Sequence, residues 1–136
     1  MTRKYIEKGK IISSCNNHIG GLLGEAILKY FLKERLIKKI DDEYEITDNG
    51  WEELEIIGID VEKLRNYKRK IVNICIEINH GILYEHIGSY LGALLFERMF
   101  ELGWFIKRNE TKYELTDKGI AGLESLGICI KTITKW

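Results

Sequence analysis

Cysteine and histidine are the residue types here whose placement could do chemistry. Cys15-Asn16-Asn17-His18 puts a thiol three residues before an imidazole, and Cys75 precedes His80 and His86 in the second half of the chain. Thiolate and imidazole are the ordinary ligands of tetrahedral zinc, so four such donors could make a site. Each group lacks a second close thiolate, however. His18 and His86 also fall where helices are expected to start, and a histidine there commonly hydrogen-bonds locally. Structural roles are therefore expected ahead of metal for Cys15, His18, Cys75 and His86, and no cofactor is expected. The three cysteines (Cys15, Cys75, Cys129) are odd in number and widely spaced, which suits reduced, partly buried thiols and not a disulfide framework. Nothing suggests catalysis. There is no Ser/His/Asp order, no glycine-rich phosphate loop after a strand, and no pair of carboxylates in apolar surroundings. Trp51, Trp104 and the seven tyrosines are expected to pack.

These residues sit in a chain that repeats itself. With His18-Ile19-Gly20 laid over His86-Ile87-Gly88, Leu23 and Gly24 fall on Leu91 and Gly92, and Lys39 falls on Lys107. One extra residue in the second copy brings Tyr44-Glu45-Ile46-Thr47-Asp48 onto Tyr113-Glu114-Leu115-Thr116-Asp117. Gly50, Leu54, Glu55, Gly58 and Ile59 then match Gly119, Leu123, Glu124, Gly127 and Ile128.

Each copy implies the same elements. Ile19, Leu22, Leu23, Ala26, Ile27, Tyr30 and Phe31 make one apolar stripe at helical spacing, as do Ile87, Tyr90, Leu91, Leu94, Leu95 and Met99. A β-hairpin follows each stripe, with polar turns at Asp41-Asp42-Glu43 and Asn109-Glu110-Thr111. Thr47 or Asp48, and Thr116 or Asp117, can cap the next helices, 48–57 and 117–126, which end at Gly58 and Gly127. Leu64, Tyr67, Ile71, Ile74 and Ile78 fit a further helix from Val61 to Ile78. Helix, hairpin, helix is the wing half of a winged helix-turn-helix. The expected fold is α+β, with winged-helix-like repeats at 1–60 and 86–136 joined by a basic linker helix at 61–85. Gly20 and Gly24, and Gly88 and Gly92, clear one face of each repeat's first helix. Glycine costs a helix interior about 1 kcal/mol relative to alanine, so something must approach closely. The other copy is the expected neighbour.

Charge speaks against the simplest nucleic-acid argument. The 136 residues carry 21 basic and 21 acidic side chains, and each half is neutral by itself. The cations are nevertheless grouped. Lys38, Lys39, Lys107, Arg108 and Lys112 lie on the expected wings, and Lys63, Arg65, Lys68, Arg69 and Lys70 lie in the linker. Wings and linker are therefore the candidate phosphate contacts. The helices that would enter a groove carry acids, including Glu25, Glu34, Glu97 and Glu101. At 45% hydrophobic and 31% charged, the composition suits a folded protein, and no stretch is apolar enough for a signal peptide or membrane span. A cytoplasmic location is expected.

The sequence resembles the C-terminal region of a subgroup of ArsR-type transcriptional regulators. The residues that carry the likeness are Cys15 and His18-Ile19-Gly20-Gly21-Leu22-Leu23-Gly24, then Tyr44-Glu45-Ile46-Thr47-Asp48-Asn49-Gly50, then Gly58-Ile59-Asp60. Basic Lys68-Arg69-Lys70, Cys75 and His86-Ile87-Gly88-Ser89-Tyr90-Leu91-Gly92 follow, and Gly103-Trp104 also fits. The likeness runs from about Lys10 onward. In those regulators a DNA-binding winged-helix domain comes first, and about 14 residues precede the first block here. The resemblance thus implies a regulator's C-terminal domain standing alone. Two functions follow as expectations. One is a regulator that binds DNA through wings and linker, as a homodimer. The other is a sensor or protein-interaction domain that binds a small ligand or a separate regulator and not DNA.

Overall fold

In the computed structural model, residues 11–15, 18–79, 81–110 and 112–128 are described, with 11–15 and 79 as backbone only. The chain folds as α+β, with helices and short antiparallel hairpins in alternation. The N-terminal half runs β1 (Ile11–Cys15), β2 (His18–Ile19), α1 (Gly21–Lys33), β3 (Ile37–Ile40), β4 (Glu43–Ile46) and α2 (Asp48–Ile56). After α3 (Val61–Arg65), the C-terminal half runs β5 (Asn73–Asn79), β6 (Ile82–Gly88), α4 (Ser89–Glu101), β7 (Phe105–Lys107), β8 (Lys112–Leu115) and α5 (Asp117–Leu126). Hairpin, helix, hairpin, helix therefore occurs twice in the same order. Met1 to Lys10, His80 and Cys129 lie outside the described residues.

The helix expected from Val61 to Ile78 does not form as such; only Val61–Arg65 is helical. From Asn73 the chain is a strand, paired along its length with β6. The reason is visible in Ile74, Ile76 and Ile78, which alternate with Cys75, Glu77 and Asn79. Period two and β-branching both favour a strand. Asp60 caps the short helix by accepting the Lys63 N–H at 3.1 Å.

The apolar stripes of α1 and α4 meet in one core. Leu22, Leu23, Ile27 and Phe31 are buried with Leu91, Leu94, Leu95 and Met99, and Leu54, Leu64 and Leu123 join them. The halves are also tied by backbone. β1 pairs with β8, so that Ile11, Ile12 and Ser13 oppose Glu114, Tyr113 and Lys112 in the sheet β2-β1-β8-β7. Arg98 of α4 donates from Nε to the Ile57 carbonyl at the end of α2, at 2.8 Å. Among the described residues no helix is long and apolar enough to cross a membrane.

Threonine locks each wing to the helix behind it. Thr47 Oγ1 accepts the Gly50 N–H at 3.0 Å and donates to the Arg35 carbonyl at 2.5 Å. Thr116 Oγ1 accepts the Gly119 N–H at 2.9 Å and donates to the Gly103 carbonyl at 2.8 Å. One hydroxyl thus caps a helix and holds the entry to the hairpin. Thr47→Ala and Thr116→Ala should each lower unfolding stability by about 1–2 kcal/mol in a urea titration, with serine at either position recovering most of it. Alanine variants that unfold at the wild-type midpoint would contradict this role.

Candidate metal centre at the junction of the halves

The first hairpin of each half sets a cysteine against a histidine. In β1–β2 the Cα partners are Cys15 and His18, and in β5–β6 they are Cys75 and His86. Ser14 opposite Ile19 and Ile74 opposite Ile87 continue the same register. The spacing in sequence differs (three residues against eleven), but strand pairing makes the two pairs equivalent. His18 and His86 thus sit on strands just before α1 and α4, and not within helix starts.

The two hairpins bring these residues together. One donor atom from each of His18, Cys75 and His86 lies within 4.8 Å of the other two. Cys15 is placed by its strand position, and its side chain lies outside the described residues. The imidazole rings of His18 and His86 are 5.6 Å apart at an angle of 57°. His86 is fully buried, at 0% exposure. His18 Nδ1 and both ring nitrogens of His86 are buried with no hydrogen-bond partner among the described residues. A buried polar atom without a partner costs about 1–3 kcal/mol, so orphaned ring nitrogens need an explanation.

Burial pushes both imidazoles toward the neutral form. Desolvation lowers the His18 pKa, against a smaller upward pull from a backbone hydrogen bond with Ser89. Desolvation also lowers the His86 pKa; Glu77 pulls it up, and His18 lowers it further. Glu77 Oε1 lies 3.4 Å from His86 Nδ1 and accepts the Gly21 N–H at 2.6 Å. This carboxylate therefore links the second hairpin to the start of α1. A helical reading of residues 61–78 leaves Glu77 without a role. The alternation of Ile74, Ile76 and Ile78 was the signal that could have found it.

The glycines explain how the histidines fit. A Cβ on Gly24 would stand 2.9 Å from His86 Cβ, and one on Gly92 would stand 3.1 Å from His18 Cδ2. Each half's glycine thus makes room for the other half's histidine. Gly88 lies against Cys75 Cβ and His18 Cε1, at 3.1 and 3.3 Å from an added Cβ. An added Cβ on Gly20 would run into the Glu77 carboxylate. Gly24 and Gly92 also line a void of about 10 Å³ with Ile19, Ile27, Ile87 and Leu95.

The cationic candidates lie elsewhere. Lys38 and Lys39 are exposed on β3, where Lys38 faces Glu45 across the ladder and Asp41, Asp42 and Glu43 crowd the turn. Lys107 is exposed on β7; Arg108 is held by Glu114 through Nε and Nη2; Lys112 is half-buried. Arg65 lies over the Trp51 ring at 4.4 Å. Lys63, Lys68, Arg69 and Lys70 are exposed around and after α3. The first turns of α1 and α4 offer little to a groove: Gly21, Leu22, Leu23 and Gly24, and Leu91 and Gly92, are buried.

Comparison with known proteins gives one distant similarity. The chain is 27% identical over 112 residues to YdfF of Bacillus subtilis (strain 168), described as an uncharacterised HTH-type transcriptional regulator. The matched region covers 82% of this chain and 49% of that protein, so the chain spans about half the length of this relative. No family model and no solved structure matches the chain.

Gly24→Ala and Gly92→Ala each put a methyl group against a backbone carbonyl and the opposite histidine. Each should destabilise the fold by about 1–3 kcal/mol, the range for overpacking, despite alanine's better helix propensity. Thermal unfolding reads this directly, and a Gly24→Leu chain of unchanged stability would refute the close approach.

Proposed function

We propose that this chain is the signal-receiving part of a transcriptional-regulator-type protein of ArsR type. It is built from winged-helix-like repeats at 1–60 and 86–136 around the linker at 61–85, and takes its effector where the repeats meet. The observation that carries this reading is the pair of imidazoles, one from each repeat, packed side by side, with His86 buried, His18 half-buried, and His18 Nδ1 and His86 Nε2 lacking a hydrogen-bond partner among the described residues. A ligand at such a junction would give these polar atoms a partner and bear on both repeats at once. Burial of Gly21 to Gly24 in α1 and of Leu91 and Gly92 in α4 reduces the surface that could read base edges. The partner on this reading is a second copy or a separate regulator. Ile76, Ile78 and Leu83 offer it apolar surface, being 58%, 74% and 56% exposed on the β5–β6 hairpin.

A DNA-binding reading is favoured by one observation. Lys63, Lys68, Arg69 and Lys70 are exposed and make no ion pair among the described residues, so linker and wings together could grip phosphates. Phosphate contacts make affinity fall steeply with salt, by about 0.9 in log K per contact and decade of salt. Fluorescence anisotropy with duplex DNA at two salt concentrations separates the readings. The sensing assignment expects no salt-dependent binding at low salt. A clear salt slope would displace it in favour of DNA contact.

A further inference from the structure

We infer that His18, Cys75 and His86 bind one thiophilic divalent metal ion of the zinc class at the junction of the two halves. This names an effector class for the sensing function proposed above, and it rests on that reading for its regulatory meaning; the ligand set stands on its own geometry.

Two imidazoles and a thiol are a borderline-soft donor set, which suits zinc and its spectroscopic substitute cobalt(II) and excludes magnesium or calcium. Zinc bonds of about 2.0–2.1 Å to nitrogen and 2.3 Å to sulfur put tetrahedral ligand atoms about 3.3–3.6 Å apart. The three donors lie within 4.8 Å of one another, so closing on an ion needs side-chain movement of about an ångström per pair. A metal bonded to one nitrogen of each ring would also give a partner to ring nitrogens that lack a hydrogen bond among the described residues. Glu77 stands beside His86 Nδ1, where a metal-bound histidine ordinarily has a carboxylate to receive its other N–H. On binding, the Cys75 thiol gives its proton to solvent and its sulfur bonds the metal. Three protein ligands leave a fourth tetrahedral position.

The test is a titration of the reduced full chain with cobalt(II) chloride, followed by absorbance. The expected result is saturation at one equivalent, with tetrahedral visible bands and a near-ultraviolet thiolate charge-transfer band, all displaced by zinc. Cys75→Ser should diminish the charge-transfer band. Glu77→Gln should keep the bands while weakening affinity about ten- to hundredfold. Because His86 is in the core, His18→Gln serves as the histidine variant and should weaken binding by more than Glu77→Gln does. A spectrum like that of hydrated cobalt, or a charge-transfer band indifferent to Cys75→Ser, would overturn the metal centre. The two proposals fail separately. Salt-dependent DNA binding removes the sensing assignment and leaves the metal centre intact, whereas absent cobalt bands remove the metal and leave an unoccupied sensing junction.

Discussion

Two histidines from opposite halves of the chain are packed side by side, each accommodated by a glycine of the other half. His86 reaches the space that Gly24 leaves on α1, and His18 reaches the space that Gly92 leaves on α4. Neither half supplies both the imidazole and the room for it. The fold therefore closes only when the β1–β2 and β5–β6 hairpins are brought against the opposite helices. The remaining inter-half ties fit this arrangement. The β1–β8 pairing joins the halves into one sheet, Arg98 reaches the end of α2, and Glu77 reaches the start of α1. A fully buried ring whose nitrogens make no hydrogen bond among the described residues, with only a carboxylate 3.4 Å away, is an unfavourable thing to keep for packing alone.

That arrangement also sorts the surface chemistry. The polar groups that a small effector could use converge inward, at the junction. The cations that phosphates could use lie outward, on α3 and the hairpins, and several are already compromised. Glu114 holds Arg108, Glu45 opposes Lys38, and Trp51 lies under Arg65. With zero net charge, a buried first turn on α1 and a partly buried one on α4, the long-range and short-range terms of DNA recognition are both weakened. The similarity to a regulator and the modest cationic surface are compatible once the chain is placed on the signal-receiving side of regulation.

Much of the fold was legible in the sequence because local signals agreed. The stripes of α1 and α4 combined helical period with strong apolar residues. The threonines before α2 and α5 had the type and position of caps, and both are used as such. The segment after Val61 misled because Leu64, Tyr67, Ile71, Ile74 and Ile78 fit a helical period, while Ile74, Ile76 and Ile78 equally fit a strand. Pairing with β6, a non-local interaction, decided between them. Losing that hairpin concealed the site as well. Cys75 and His86 are eleven apart in sequence and become neighbours only across the ladder, and Glu77 points to nothing until its strand is recognised. The cysteine and histidine types are plain in the sequence, but their proximity depends on register that composition does not carry.

X-ray absorption at the zinc edge of the stoichiometrically loaded chain tests the shared centre most directly. If both halves donate to one ion, the first shell holds sulfur at about 2.3 Å together with nitrogen at about 2.0–2.1 Å, with outer-shell scattering from two imidazole rings. A shell of oxygen and nitrogen alone, without sulfur and without imidazole scattering, would contradict the account.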